Sequence, residues 1–383
     1  MDLYYIGENA EYVVTLMNSK KCDEDFYIYA QNFHEAAEYV NYFLITQAAQ
    51  NREKSKLDLW YFAMAYLYRQ SLELLLKASI IQKVIENDER KRIIKEIGHN
   101  LKCAINKLIK IKNLNTENNP NAKWLLDLLT DISQIDGNSY VFRYPLGNKF
   151  NTLFEKQTNV SLLKTRDNMN KAYKIIKSVF DSGKFLEETY EADLPELLIE
   201  NDSYYQQSSV GYRTSNFSFH PYFSSYWEVG NFLRNTILNE KRLNLFIPMC
   251  CLYRNAIELG IKRIIIEDSC LNPVDALNKA WRKKHNLNEL WKMINKYTNI
   301  SDDPVILDET KNFVEIFSKI DKMYGWFCFP YDIDFNSYFP EEKKFDTDNI
   351  SSCFEELCGF LDRLNSQLDY KKEYETEINS YYE

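Results

Sequence analysis

Residues 67–77 read Leu-Tyr-Arg-Gln-Ser-Leu-Glu-Leu-Leu-Leu-Lys, and residues 252–262 read Leu-Tyr-Arg-Asn-Ala-Ile-Glu-Leu-Gly-Ile-Lys. Leu, Tyr, Arg, Glu, Leu and Lys recur in the same order and spacing, 185 positions apart. In each copy the Arg, Glu and Lys are spaced i, i+4 and i+8, so a helix presents them as one stripe on its surface. The repeat predicts that one structural unit occurs twice in the chain.

Two further pairs of segments recur at nearly the same offset. His99-Asn100-Leu101 returns as His285-Asn286-Leu287, 186 positions later. The aromatic segment Tyr-Val-Phe-Arg-Tyr-Pro at 140–145 aligns with Gly-Trp-Phe-Cys-Phe-Pro at 325–330, again 185 positions later. The three anchors predict a tandem duplication, with copy 1 and an N-terminal extension in 1–190 and copy 2 and a C-terminal tail in 191–383. A length of 383 residues suits two domains.

The composition favours an all-α protein made of two helical bundles. Hydrophobic residues make up 45% of the chain, and it contains only 10 Gly and 9 Pro, so large cores can form and helix breakers are few. Apolar positions nearly surround the segment near 57–86, which predicts a buried central helix. The repeat predicts its counterpart near 242–268, with a kink or a delayed start at Pro248. Further helices are predicted near 31–50, 99–113, 121–135 and 165–182, and near 224–239, 273–283, 285–297, 306–324 and 349–371. Residues 1–30 are expected to be irregular or to hold a short strand, and 86–95 to form a charged connection.

Several functional classes find no support in the sequence. The chain has neither a P-loop nor a GxGxxG motif. Its eight cysteines form no CxxC pair and no zinc-type cluster with histidine, so we expect no metal and no cofactor. Without a signal peptide or an apolar run of membrane length, we expect a cytoplasmic protein with inert, mostly buried thiols and no membrane contact. A net charge of −9 argues against broad nonspecific phosphate binding, but it does not exclude a local basic cleft.

The charged stripe admits two interpretations. In one, Arg69, Glu73 and Lys77 form an ion-pair ladder within the helix, because buried charges must be paired. In the other, the stripe lines a cleft together with His99 and Asn100. The second interpretation makes ligand-binding candidates of nine residues across the two copies: Glu73, Lys77, Asn100, Arg143, Arg254, Glu258, Lys262, His285 and Asn286.

His99 and His285 also have two interpretations. Each could be a helix-entry residue whose imidazole bonds the loop backbone, or a general acid/base or phosphate contact near neutral pH. The asparagine after each histidine is predicted to cap the following helix. Arg143 lies among aromatic residues and is either packed by stacking or available to an anion. Because copy 2 has Cys328 at the corresponding position, an anion site would make the two copies inequivalent.

A long helix with Arg-x3-Glu-x3-Lys, followed in the first copy by Gly-His-Asn-Leu, resembles the HEPN superfamily of small helical bundles. Members of that family occur with nucleotidyltransferases, toxin–antitoxin pairs and phage-defence systems. Its nucleases act without metal, use Arg-x4–6-His and often face two such motifs across a dimer. Arg92 and His99 have six residues between them, whereas Arg282 and His285 have two. The family's Arg is commonly followed by a polar residue, where this chain has Ile93.

The resemblance implies three alternative functions. The first is a metal-independent endoribonuclease effector of phage defence or a toxin–antitoxin system, in which His99 transfers protons and Arg92 or Arg69 stabilises phosphate charge. The second is a non-catalytic nucleotide- or partner-binding sensor, adaptor or antitoxin-like subunit, with its protein partner encoded nearby. The third is a helical structural subunit. A duplicated unit also predicts an internal pseudo-two-fold, and a homo-oligomer is compatible with it.

Overall fold

The computed structural model describes residues 2–8, 10–19, 21–145, 157–187, 194–200, 203–211, 218–298, 316–317, 319–320 and 325–382. Within these residues the chain is mostly helical, with eleven α-helices and four short β-strands. The predicted all-α class is therefore confirmed at the level of helix content. The helix predicted at 306–324 falls largely outside the described residues.

The first seven helices and three strands run from the N-terminus to the middle of the chain. They are β1 (Val13–Leu16), α1 (Cys22–Phe43), α2 (Lys54–Ile81), α3 (Asn87–Ile97), α4 (Leu101–Lys112), α5 (Pro120–Asp136), β2 (Thr158–Ser161), α6 (Leu162–Ser182), β3 (Gln207–Val210) and α7 (His220–Glu240). The remaining elements are α8 (Phe246–Asp268), α9 (Pro273–Arg282), α10 (Leu287–Tyr297), β4 (Lys343–Asp346) and α11 (Thr347–Tyr382). A π-helical turn, Leu44–Ala48, follows α1.

Three helix boundaries differ from the sequence prediction. Helix α1 begins at Cys22 rather than near residue 31, because three acidic residues in its first turn suit the positive end of the helix dipole and Phe26 is buried behind them. Helix α3 occupies the predicted charged connection, since Ile93 and Ile97 bury one of its faces. Helix α11 continues to Tyr382, beyond the predicted end near residue 371.

The two long helices α2 and α8 form the centre of the molecule, as predicted. Every residue from Trp60 to Ile81 in α2 and from Phe246 to Lys262 in α8 is buried. Helix α2 packs against α1, α4, α6 and α7, and α8 packs against α7, α9, α10 and α11. Burying a large aliphatic side chain contributes about 1.5–3 kcal/mol, so these two helices supply much of the core.

A close helix contact explains one difference between the repeated helices. At the position of Leu75 in α2, helix α8 has Gly260. A Cβ atom there would lie 2.9 Å from Phe223 of α7 and 3.0 Å from Leu361 of α11. The glycine therefore lets α8 approach its two neighbours more closely than any other residue would.

The four strands form two antiparallel pairs that cross between the sequence halves. Strand β1 pairs with β4, with Val13 opposite Asp346, and β2 pairs with β3, with Thr158 opposite Val210. Strands β2 and β4 begin 185 positions apart, and each leads directly into a long helix, α6 or α11. The N-terminal strand thus pairs with the second half of the chain, and a strand after residue 190 pairs with the first. Among the helices described, none combines the length and apolar character that crossing a membrane requires.

Candidate functional site

The stripe on α2 is a network of buried ion pairs centred on Glu73. Its Oε2 lies 2.8 Å from Arg69 Nη1, and its Oε1 lies 2.6 Å from Lys77 Nζ. The same Oε1 lies 2.9 Å from Nδ1 of His99, which comes from the start of α4. Arg69, Glu73 and Lys77 are all at least 96% buried, so each charge depends on its partners for stabilisation.

The stripe on α8 forms the same network around Glu258. Arg254 Nη1 lies 2.9 Å and Lys262 Nζ 2.6 Å from its carboxylate oxygens. His285 Nδ1 lies 3.0 Å from both oxygens. The predicted ion-pair ladder is thus confirmed in both helices, and in both it extends to the histidine.

Each arginine also fixes the backbone of the histidine loop. Arg69 Nη2 donates to the His99 carbonyl at 2.6 Å, and Arg254 Nη2 donates to the His285 carbonyl at 2.5 Å. Arg69 Nε additionally lies 2.9 Å from a carboxylate oxygen of Asp136 at the end of α5. The imidazole of each histidine bonds a buried carboxylate, and its main-chain carbonyl is held by the arginine of the same network.

The asparagines after the histidines cap α4 and α10, as predicted. Asn100 Oδ1 accepts from the Cys103 N–H at 2.9 Å, and Asn286 Oδ1 accepts from the Glu289 N–H at 2.9 Å. Capping satisfies an N–H that the first helical turn leaves without a partner. The cap and the arginine together set the position of each histidine at its helix start.

The two carboxylates are ionised and determine which imidazole nitrogen carries the proton. Burial opposes ionisation of Glu73, but Lys77, His99 and Arg69 together hold its pKa well below the usual range. Burial likewise opposes ionisation of Glu258, whose pKa its own cationic partners lower to the same effect. An ionised carboxylate only accepts hydrogen bonds, so we infer that Nδ1 of each histidine carries a proton and Nε2 is the basic nitrogen.

The surroundings of His285 favour its neutral form. Burial lowers its pKa, and this effect exceeds the opposing attraction of Glu258. The His285 side chain is 26% exposed, compared with 47% for His99. The second imidazole is therefore more enclosed than the first, and this burial lowers its pKa.

Each aromatic loop covers the charged network of the other half. Tyr144, from the loop after α5, donates its hydroxyl to Glu258 Oε1 at 2.7 Å and lies under Lys262, whose Nζ is 4.6 Å from the ring centre. Reciprocally, Phe329 lies under Lys77, whose Nζ is 4.7 Å from its ring centre, and 6.2 Å from the ring of His99. Each loop therefore completes the site that the other half of the chain begins.

Polar contacts between loops and helices repeat this reciprocity. Gln70 Nε2 donates to the Cys328 carbonyl at 2.9 Å. Arg143 Nη2 donates to Asn255 Oδ1 at 3.3 Å. Gln70 corresponds to Asn255 in the repeat, and Arg143 corresponds to Cys328. The two contacts are therefore equivalent in the repeat, and each joins the central helix of one half to the aromatic loop of the other.

A cavity of about 350 Å³ lies between the two networks. His99 and His285 both line it, together with Lys77 and Arg143. Its walls also include aromatic side chains, among them Phe329 and those of Tyr66, Tyr140 and Tyr338. The cavity therefore combines two oriented imidazoles, three cationic side chains (Lys77, Lys95 and Arg143), the carboxylate of Asp332 and flat aromatic surfaces.

Other predicted site residues lie elsewhere. The remaining network members (Arg69, Glu73, Arg254, Glu258 and Lys262) and the two capping residues, Asn100 and Asn286, support the cavity without lining it. Arg92 is on the surface of α3, with its side chain 71% exposed and 3.4 Å from Glu89. Of the three predicted catalytic residues, the structure brings His99 alone to the cavity.

Sequence reasoning missed several contacts of the site. It does not single out Gln70, which lines the cavity, or Tyr144, which covers the second network, although both stand at anchor positions of the repeat. The amide at residues 70 and 255 and the aromatic ring at residues 144 and 329 recur in both copies, and this recurrence was the available signal. Tyr66 gave no such signal, because its counterpart is Cys251.

The described residues contain no group of three His, Cys, Asp or Glu side chains that could hold a metal ion. No protein-family model, curated protein or solved structure matches the chain. Function must therefore be inferred from the chemistry of the cavity, and the likeness to HEPN proteins rests on the motifs alone.

Proposed function

We propose that this chain is a tandem HEPN-like protein whose central cavity binds single-stranded RNA and cleaves it without a metal. One observation carries the proposal: two imidazoles, each oriented by a buried carboxylate, line the same cavity as Arg143 and Lys77. A pair of histidines beside cations is sufficient for proton transfer and charge stabilisation at a phosphodiester.

The proposal includes an internal duplication, with copy 1 in 1–190 and copy 2 in 191–383 related by a pseudo-two-fold axis. The equivalent ion-pair networks on α2 and α8 support it. So do the reciprocal loop contacts and the strands β2 and β4, which begin 185 positions apart and each lead directly into a long helix. In this arrangement each copy supplies one imidazole to a shared site, as two subunits of a dimer would.

The proposed mechanism divides the proton transfers between the two histidines. His285, kept neutral by burial, accepts the proton of the ribose 2′-hydroxyl at Nε2. The 2′-oxygen then attacks the phosphorus, and His99 protonates the leaving 5′-oxygen. Arg143 and Lys77 stabilise the charge that develops on the phosphate. Glu73 and Glu258 act as positioning residues that hold Nδ1 of each ring.

The cavity suits a short unpaired segment better than a long duplex. Its volume is at the lower end of the range for small-ligand pockets. Its aromatic walls match the base stacking by which proteins bind single-stranded RNA. The net charge of −9 disfavours extended contacts with phosphates. We therefore expect cleavage within loops and single-stranded regions.

The test measures cleavage of single-stranded RNA by purified protein in the presence of a metal chelator. We expect His99→Ala and His285→Ala each to lower the rate by about 10²–10⁴-fold, the usual contribution of a general acid or base. His220→Asn is the matched control, because this exposed histidine lies on α7 outside the cavity and its replacement should leave the rate unchanged.

Arg92→Ala separates this site from the one that the Arg-x6-His spacing suggests. We expect it to cleave normally, since Arg92 is exposed on α3. If Arg92→Ala is inactive while His285→Ala is not, the active site lies on the surface of α3 and α4. If wild-type protein leaves RNA intact, the nuclease proposal is rejected.

One observation favours a second candidate, a non-catalytic nucleotide- or partner-binding subunit. The Tyr144 hydroxyl donates to Glu258 and lies within 3.4 Å of His285 Nδ1. The second imidazole is therefore fixed by two neighbours, which suits a ligand-binding group better than a proton-transfer group. This alternative predicts nucleotide binding in calorimetry without turnover, or stable co-purification with the product of a neighbouring gene. Arg143→Met should weaken nucleotide binding in this case as well.

A further inference from the structure

Two cysteines lie in contact at the edge of the cavity. Cys251 Sγ, on α8, is 2.8 Å from Cys328 Sγ, in the loop that carries Phe329. Tyr66 Oη lies 3.4 Å from Cys251 Sγ and donates to Cys328 Sγ at 3.9 Å. Because a disulfide bond needs about 2.05 Å, the two sulfur atoms have to approach by less than one ångström to form it.

The two thiols differ in accessibility and in acidity. Cys328 is partly exposed and lines the cavity, whereas Cys251 is fully buried. The hydrogen bond from Cys251 and the charge of Arg143 lower the pKa of Cys328 against the effect of burial. Burial raises the pKa of Cys251 well above its usual value. Cys328 is thus the more reactive thiol, and Cys251 is a neighbour able to trap its oxidised form.

From this geometry we infer that Cys328 is a site of reversible oxidation by hydroperoxides, with Cys251 as its resolving partner. The Cys328 thiolate attacks one peroxide oxygen, the O–O bond breaks, and protonation releases water from hydrogen peroxide while leaving a sulfenic acid. The Cys251 thiol then attacks that sulfur, releasing a second water and forming the disulfide. In total one peroxide is reduced by two electrons, and two thiols are oxidised.

Oxidation of Cys328 would change the wall of the cavity. The Cys328 carbonyl accepts the hydrogen bond from Gln70, and the next residue, Phe329, lies under Lys77 and beside His99. Drawing Cys328 Sγ toward α8 therefore shifts the loop that covers the first network. The sequence predicts inert and mostly buried thiols, whereas Cys328 is partly exposed and lines the cavity together with Arg143.

The test oxidises the reduced full-length protein with a small excess of hydrogen peroxide and maps its cysteines by peptide mass spectrometry after alkylation. We expect the loss of two of the eight thiols, a disulfide-linked Cys251–Cys328 peptide, and full recovery with dithiothreitol. Exposed Cys103 and Cys270 serve as internal references and should stay reduced at the same peroxide concentration. The readout is thiol chemistry, so it does not depend on whether the protein cleaves RNA.

Variants distinguish the two roles. Cys251→Ser should leave Cys328 as a sulfenic acid that dimedone labels, with no disulfide. Cys328→Ser should leave Cys251 reduced, and Cys103→Ser should form the disulfide as wild type does. Since wild-type mapping needs no substitution, a misfolded variant does not prevent the test. Oxidation of Cys103 or Cys270 before Cys328, or oxidation of Cys328 without linkage to Cys251, would overturn the inference.

Discussion

The two charged networks are alike, but the loops that cover them are not. Each network has three distances from its glutamate, to the arginine, the lysine and the histidine, and one from its arginine to the histidine carbonyl. Each of these four distances differs between the two networks by no more than about 0.1 Å. Over the second network lies Tyr144, whose hydroxyl bonds the carboxylate; over the first lies Phe329, which has no hydroxyl. The networks therefore position the two histidines alike, although the His285 side chain is 26% exposed and that of His99 47%.

A second difference lies in the middle of the molecule. The first half contributes Tyr66 and Arg143, which form a cation–π contact at 5.7 Å. At the corresponding positions the second half contributes Cys251 and Cys328, whose sulfur atoms touch. One half thus places Arg143 in the wall of the cavity where the other places Cys328.

The largest expected effect tests whether the two networks are energetically equal. Glu73→Gln removes the charge that pairs two buried cations, Arg69 and Lys77, and should lower the free energy of unfolding by about 3–5 kcal/mol. Glu258→Gln should cost about the same, because its geometry is the same. Urea denaturation measures both losses.

Glu89→Gln is the control for these two variants, since it removes an exposed carboxylate from a surface pair with Arg92 and should leave stability unchanged. A loss confined to one of the two network variants would show that the shared geometry hides unequal energetics. Losses no larger than that of the control would mean that neither network stabilises the fold.

Much of each network could be predicted from sequence, because its parts are close along the chain. Arg69, Glu73 and Lys77 share one helix face through their spacing alone. Asn100 caps α4 for a local reason as well, since its side chain reaches an N–H three residues ahead. The contact of His99 with Glu73 spans 26 residues, and only the recurrence of both motifs at one offset indicated it.

The rest depended on contacts that no local pattern encodes. Tyr144 reaches Glu258 across 114 positions, and nothing in its own segment specifies that partner. The strands have only four residues each, too few for a clear alternation of apolar and polar residues, so their crossed pairing was invisible. The Arg92–His99 spacing suggested a site, but the direction in which α3 presents Arg92 depends on the burial of Ile93 and Ile97.

A smaller effect tests the hydroxyl that distinguishes the two loops. Tyr144→Phe makes the second loop resemble the first and removes a hydrogen bond to a buried carboxylate. Such bonds to charged groups contribute about 1.5–3 kcal/mol, and we expect a loss of this size in urea denaturation. Phe329→Leu is the matched comparison, because it changes the other covering ring without touching a hydrogen bond to Glu73.

Tyr144→Phe should also make the surroundings of the His285 imidazole resemble those of His99, which has no hydroxyl above it. Without the Tyr144 hydroxyl, Glu258 keeps its bond to His285, while the imidazole gains room at Nδ1. If Tyr144→Phe is as stable as wild type, the Tyr144 hydroxyl does not stabilise the second network. The two loops would then differ in their contribution only at Arg143 and Cys328.

The smallest expected effect is a pH dependence that follows from the enclosure of His285. Its pKa in the folded protein is lowered by burial, relative to about 6.5 in an unfolded chain. Between these two values the unfolded chain binds more protons, so the free energy of unfolding falls as the pH drops below about 6.5, by at most about 1.4 kcal/mol per pH unit.

His285→Asn keeps a donor for Glu258 but cannot titrate, so the stability of wild type relative to this variant should decline between pH 6.5 and 5. His34 and His220, whose pKa values burial also lowers, are present in both proteins and cancel in the difference. Glu258 interferes little in this window, because its own pKa lies well below 4.5. Denaturation curves at half-unit pH steps measure the difference. A value that stays constant, or that grows in favour of wild type on acidification, would mean that the imidazole is not held in its neutral form, and His285 would lose its claim to the role of base.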